Sequence, residues 1–287
     1  MVTANNNLVL NRLFTQSVLR DLINYSNNTT YASIVQRYVE DSEAKNNGEL
    51  ISEIYRFMSK SYRNEYYYLN TLLNKLLLKR HNINTTTALT QIYIGKSKAD
   101  FILINGKAVV YEIKSELDSF DRLETQIKDY FRAFNHVCVV TSEGNYGKLA
   151  SILQDTPAVG ICVLTKRNTI SSTLKKQMIE DNSYLEHRAI FKTLHKNEYE
   201  NIIKRQFGSL PVTSQVFYYD ECLSWFEEIP ILEAYVETLK ELKKRNRIIQ
   251  SRFHEIPYEL RSLMYFSAPS LKDYDGLNCF LNEKYRR

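Results

Sequence analysis

Five short apolar runs crowd into residues 91–165, and they constrain the fold more than any other feature of the chain. They are QIYIG (91–95), KADFILI (98–104), AVVYEIK (108–114), HVCVVTS (136–142) and VGICVLT (159–165). Runs this short, rich in β-branched residues and bounded by polar ones, are strands. Phe120, Leu123, Ile127, Phe131 and Phe134 recur at helical spacing after the third run, and YGKLASILQ (146–154) does so after the fourth. Strand, helix, strand, helix, strand implies right-handed crossovers and a mixed sheet covered by helices. Asn105-Gly106 joins the second and third runs, which are therefore antiparallel.

Both flanks read as helical. Leu10, Leu13, Phe14, Val18 and Leu22 mark a first amphipathic stretch, NYSNNTT (24–30) breaks it, and short helices follow near 31–40 and 48–58. NEYYYLNTLLNKLLLKRH (64–81) carries an apolar stripe of Leu69, Leu72, Leu73, Leu76 and Leu77, with Glu65 on that stripe one turn earlier. An inward carboxylate is costly unless paired or bound to a cation; at a helix N-terminus it also favours the helix dipole. After residue 170 the segments 172–194, 197–207, 212–229 and 231–249 are expected to be helical. The expected organisation is a helical N-terminal region (1–58), a core (59–170) and a mainly helical C-terminal region packed on it (171–287).

Several functions are excluded early. Cys138, Cys162, Cys222 and Cys279 are far apart and form no CxxC pair, so a zinc site is not expected; free, reduced thiols suit the cytoplasm. The five histidines (81, 136, 187, 195, 254) lack metal-ligand spacing, and no glycine-rich phosphate loop occurs. No basic-then-apolar leader opens the chain, and no run approaches the roughly 18 apolar residues of a membrane span. A net charge of +5 leans mildly towards an anionic partner.

Against that background Asp100, Glu112 and Lys114 stand out, because apolar strands should not carry them. Glu112 and Lys114 are two apart and share a face. A strict two-residue turn would set Asp100 opposite Tyr111 and send Glu112 to the other side of the sheet. A three-residue loop ending at Gly106 would set Asp100 opposite Val110 and restore a shared face, as would a bulge. Converged, two carboxylates offer hard oxygen ligands to Mg²⁺, which lowers the pKa of bound water, and a lysine can stabilise charge on a phosphoryl group. A lone (D/E)-x-K is common by chance and is more often a solvated edge. Gln126 and Tyr130, four apart on the next helix, face the same way; Tyr130 also fits the Leu123/Ile127 apolar face.

The ordered set Glu65, Asp100, Glu112-x-Lys114 and Gln126-x-x-x-Tyr130 resembles the PD-(D/E)XK nuclease superfamily. Within it, NEYYYLNTLLNKLLL, TALTQIYIGKSKADFIL, VYEIKSELDSFDRLETQIKDY, GSLPVTSQVFYY and IPYELRSLMYFS are similar to a little-characterised family of bacterial and phage proteins. The resemblance implies a restriction-endonuclease-like α/β fold: a helix, a three-stranded antiparallel meander, a crossover helix and a further parallel strand, here with helical N- and C-terminal extensions. It implies Mg²⁺-dependent cleavage of nucleic acid, DNA above all, with Mn²⁺ as an alternative ion. Asp100, Glu112 and Glu65 would ligate the metal, Lys114 would be the catalytic lysine, and Gln126 and Tyr130 would match the Q-x-x-x-Y motif. Ala99 stands where the motif name has Pro, a position many branches vary.

Two other readings remain open. One is a nucleic-acid-binding or interaction protein of the same fold without cleavage, of phage or mobile-element origin; the other is a structural accessory factor with these charges on an exposed edge. Whether cleavage is endo- or exonucleolytic, and whether the chain forms a homodimer, stay open as well. The basic run KELKKRNRIIQSR (240–252) is either a solvated helix end or a phosphate-tracking patch.

Overall fold

A computed structural model describes residues 7–79, 83–246 and 248–286. The N-terminal helices are α1 (Leu10–Leu13), α2 (Gln16–Tyr25), α3 (Thr29–Tyr38) and α4 (Asn47–Ser61). Their starts follow from local chemistry. Thr15 caps α2, Asn28 accepts the N–H groups of Thr30 and Tyr31, and Asn46 and Glu49 form a reciprocal capping box at α4. Helix α5 (Glu65–Leu72), capped by Asn64, widens into a π-helical stretch, Leu73–Leu78. There Asn74 Nδ2 donates to the Asn70 carbonyl at 2.8 Å, a side-chain bond that competes with the backbone ladder.

The strands are β1 (Thr87–Leu89), β2 (Ile92–Ile94), β3 (Ser97–Ala99), β4 (Phe101–Asn105) and β5 (Lys107–Lys114). Helix α6 (Leu123–Phe131) crosses to β6 (Val137–Ser142), α7 (Tyr146–Ile152) to β7 (Gly160–Leu164), and β8 (Ile170–Lys176) returns. The main sheet has the order β1-β4-β5-β6-β7-β8, and β2 and β3 form a small sheet of their own. Strands β1, β4 and β5 are an antiparallel meander, β5, β6 and β7 run parallel, and β8 is antiparallel to β7. The C-terminal helices are α8 (His187–Phe191), α9 (Lys196–Phe207), α10 (Tyr218–Glu227), α11 (Ile231–Lys243), α12 (Gln250–Phe253), α13 (Arg261–Phe266) and α14 (Leu271–Asn282). This is the expected mixed α/β sheet flanked by helices.

Period-two alternation splits the sheet between two cores. Val109, Tyr111, Ile113, Cys138 and Val140 face α1 to α5 and the chain's last helices. Ala108, Val110, Val137, Val139 and Ile161 face α6, α7 and helices α8 to α11. The C-terminal region thus contributes to both faces. Phe134 is fully buried in the second core, and truncating an aromatic of that kind costs about 3–5 kcal/mol.

Two local expectations are corrected. Residues 172–194 were expected as helix; instead Ile170–Lys176 is an edge strand and only His187–Phe191 is helical there. Ile170 and Leu174 lie four apart, which suits a helix turn and a strand face alike, so the free edge of β7 decides. A register shift opposite Cys162 and Leu164 then lets Ile170 pack on one core and Leu174 on the other. The run 98–104 is also not one strand: it breaks at Asp100, where the chain leaves the small sheet for the large one. β1 lies outside every run marked as strand.

Candidate active site

Strand β5 ends at the site. The hairpin before it turns on Gly106, at φ +72°, between the paired residues Asn105 and Lys107. The loop is therefore odd, as a shared site requires, but it is centred on Gly106 rather than ending there. Phe101 faces Tyr111; one step further, this register sets Asp100 opposite Glu112, not Val110. Asp100 Oδ2 accepts the Ile113 N–H at 2.8 Å, so its side chain stands in for a backbone acceptor where β4 begins.

Glu112 and Lys114 are 2 % and 7 % exposed, the values that set them apart from a solvated edge pair. Gln126 Nε2 donates to Glu112 Oε1 at 2.5 Å, and Tyr130 Oη donates to Glu112 Oε2 at 2.5 Å. The Lys114 ammonium lies 3.1 Å from Glu112 Oε1 and donates to Gln126 Oε1 at 2.9 Å. Gln126 thus grips both charged groups, and Tyr130 holds the far oxygen. The Tyr130 ring is at the same time part of the core, as its apolar neighbours predict. Burial, then the negative charge of Glu112, pushes the Tyr130 hydroxyl pKa far up, so it stays a proton donor.

The support around this network is local. Thr141 Oγ1 donates to the Lys114 carbonyl at 2.8 Å, and Asn145 Nδ2 to the Ser115 carbonyl at 3.2 Å. Asp129, on α6 between Gln126 and Tyr130, accepts from Lys96 N and Ser97 Oγ. A Cβ on Gly95, at φ +60°, would sit 2.4 Å from Asp129 Oδ1, so glycine is required where α6 clasps the β2–β3 turn.

Glu65 is the first residue of α5 and is solvent-exposed. It is not the inward-facing stripe residue of the sequence pattern; it stands at the mouth, brought from the opposite face of the sheet. Protein atoms still crowd its carboxylate. Desolvation first, then Asp118 and Glu112, raises its pKa. Burial first, then Glu112 and Glu65, pushes the Asp100 carboxyl up to about 8. Asp118 was not singled out from sequence, although its local signal exists: it follows Ser115 by three and accepts that residue's N–H and hydroxyl.

Among the described residues, no group of three or more His, Cys, Asp or Glu side chains is arranged to hold a metal ion. Glu65, Asp100 and Glu112 come within electrostatic reach of one another without closing on one point. Their chemistry nevertheless fits Mg²⁺ or Mn²⁺: the donors are hard oxygens, they repel one another in a partly desolvated setting, and Mg²⁺ needs only one or two carboxylates beside water and phosphate.

Among the described residues of the basic run, four of the cations are ion-paired. Lys240 pairs with Glu237, Lys244 with Glu241, Arg245 with Glu198, and Arg252 with Glu255 and Asp275. Arg247 and His81 lie outside the described residues. Among the described residues, no helix is long and apolar enough to cross a membrane.

A family model described as bacteriophage P4 protein cII matches residues 58–271, a span that includes every candidate site residue. No curated protein and no solved structure matches.

Proposed function

We propose that this chain, which belongs to the bacteriophage P4 protein cII family, is a metal-dependent nuclease of the PD-(D/E)XK type acting on DNA. The observation that carries this reading is the network, centred on the buried Glu112, in which Lys114, Gln126 and Tyr130 converge on that carboxylate across the hairpin from Asp100. Burying an acid, a base and two polar groups at the end of a strand stabilises nothing that apolar residues would not stabilise as well. Such an arrangement suits chemistry at that point.

Each side chain has a role that follows from its contacts. Asp100 and Glu112 would hold the divalent ion, with Glu65 completing the negative rim. When bound there, such an ion would supply an activated water and neutralise charge on the phosphoryl oxygens. Lys114 places an ammonium beside the acidic pair, where it stabilises the charge that develops on a phosphodiester under attack. Gln126 fixes the distance between Lys114 and Glu112 by bonding to both. Tyr130 keeps Glu112 oriented. The second reading, a DNA-binding protein without cleavage, draws on the engagement of both Glu112 oxygens by the protein itself.

The test is cleavage of supercoiled plasmid and labelled single-stranded DNA by wild type and Lys114→Ala, with Mg²⁺, Mn²⁺ or EDTA. Metal-dependent cleavage that Lys114→Ala abolishes supports the nuclease. A folded wild type inert under every metal condition overturns it in favour of the second reading.

A further inference from the structure

A cleft of about 750 Å³ lies on the α4 and α5 side of the sheet, and its lining includes Arg56, Lys60, Arg63, Lys166, Arg167 and Glu116. Arg56 and Lys60 are one turn apart on α4, both exposed. Lys166 and Arg167 are exposed at the tip of the β7–β8 turn. That turn is pinned: Arg63 donates to the Thr165 carbonyl at 3.2 Å, and Thr71 Oγ1 donates to Asn168 Oδ1 at 3.0 Å. Arg63 itself is wedged against the rings of Tyr67 and Tyr68, with its side chain only 9 % exposed. Its Nε–H is buried and has no partner among the described residues.

Two facts separate this cleft from the basic run of α11. The described ion pairs that neutralise Lys240, Lys244, Arg245 and Arg252 have no counterpart at Arg56, Lys60, Lys166 or Arg167. Two carboxylates also line the cleft, Glu116 and Glu259, against five cationic side chains; Glu116 is held by Tyr68 Oη at 2.9 Å and faces Arg63 at 3.5 Å. Glu116 also lies two residues beyond Lys114, so the cleft adjoins the site. The cleft opens where β7 ends, and β5 and β6 end on the same side, the edge of a parallel sheet at which ligands bind.

We infer that this cleft is the track along which the phosphate backbone of a DNA strand runs to the carboxylate site. It rests on the nuclease reading only for where the strand is going. Cations on both walls, a fixed guanidinium at the floor and no exposed aromatic in the lining suit backbone phosphates better than bases. Tyr55 and Tyr67, which also line it, are buried by their own packing. Recognition here is accordingly independent of sequence and steep in salt.

The test measures binding of a labelled DNA oligonucleotide in EDTA, so that no cleavage occurs, across a salt series. Lys60→Glu/Arg167→Glu alters two exposed side chains and leaves the fold intact; Lys240→Glu, on the far face, is the control. Expected are markedly weaker binding and a log–log salt slope shallower by about one to two in the double variant, no such change in the control, and retained binding in Lys114→Ala. Wild type that does not bind DNA, or a double variant that binds as wild type does, overturns the inference. The two readings fail separately: DNA bound in the cleft but never cut defeats only the nuclease, and metal-dependent cleavage indifferent to the cleft defeats only the track.

Discussion

Carboxylates cluster in two regions of this protein, and the protein treats them in opposite ways. Among α9 and α11, burial alone would raise the pKa values of Glu198, Glu237 and Glu241, yet charged hydrogen bonds outweigh it and lower all three. Arg245 Nε reaches Glu198 at 2.6 Å, Arg205 Nη1 reaches Glu241 at 2.6 Å, and Lys244 adds a third cation at 2.7 Å. At the end of β5 the balance reverses. Glu65, Asp100, Glu112 and Asp118 gather around Lys114 and Lys98, and desolvation and mutual repulsion raise the pKa values of Asp100 and Glu65. Where acid is matched by base, the charges serve the fold. Where acid is left in excess, something other than stability keeps it there.

The largest effect that would break this comparison is on activity. Lys114→Ala is expected to cut metal-dependent cleavage by about a hundredfold or more, while Arg245→Ala leaves the activity of the folded protein unchanged; initial rates on plasmid DNA decide. The order inverts for stability. Arg245→Ala strands Glu198 inside the helices and should cost about 2–3 kcal/mol in urea unfolding, less than a fully buried pair because the site is partly solvated. An unchanged midpoint would show that the matched charges are not structural.

The two regions should also answer pH in opposite directions. Asp100 holds its proton up to about pH 8 when folded, against an ordinary 3.8. Its contribution to stability is complete below about pH 4 and is lost as pH rises through about 8. Glu198, Glu237 and Glu241, with lowered values, contribute above the ordinary 4.5 and lose that contribution on acidification. Asp100→Asn should therefore raise the melting temperature at pH 8.5 and leave it nearly unchanged at pH 4. Mg²⁺ should raise the wild-type melting temperature more at pH 8.5 than at pH 6, and this gain should vanish in Asp100→Asn. Scanning calorimetry at the three pH values checks all of it. The smallest effect is expected of Lys240→Ala, whose ammonium is largely solvated beside Glu237: under about 0.5 kcal/mol. A larger loss would mean that the pairs on α11 act as one network.

Much of this was legible beforehand because the signals are local. Short β-branched runs bounded by turns locate β4 to β7, and Leu123 and Ile127 place α6 against the sheet. Other features depend on partners distant in sequence. Nothing in ISSTLKK distinguishes an edge strand from a helix until β7 presents its free edge. Arg63 carries no periodic signal, because its role comes from carbonyls at Leu164 and Thr165, about a hundred residues away. Glu65 fits an apolar stripe by spacing, but the helix begins at that residue, and the chain's course brings it to the mouth instead.

By itself the sequence determined the alternation of strands and crossovers, the shared face of Glu112 and Lys114, and the shared face of Gln126 and Tyr130. These are consequences of backbone periodicity, which is the same wherever the segment lies. Only the tertiary structure decided that Asp100 stands across from Glu112, because a one-residue change in a loop exchanges the faces of a strand. Only it decided that Lys240, Lys244 and Arg245 are matched by acids while Lys60 and Arg167 face an open cleft. Charge is written in the sequence, but its compensation depends on distance, and distance exists only once the chain has folded.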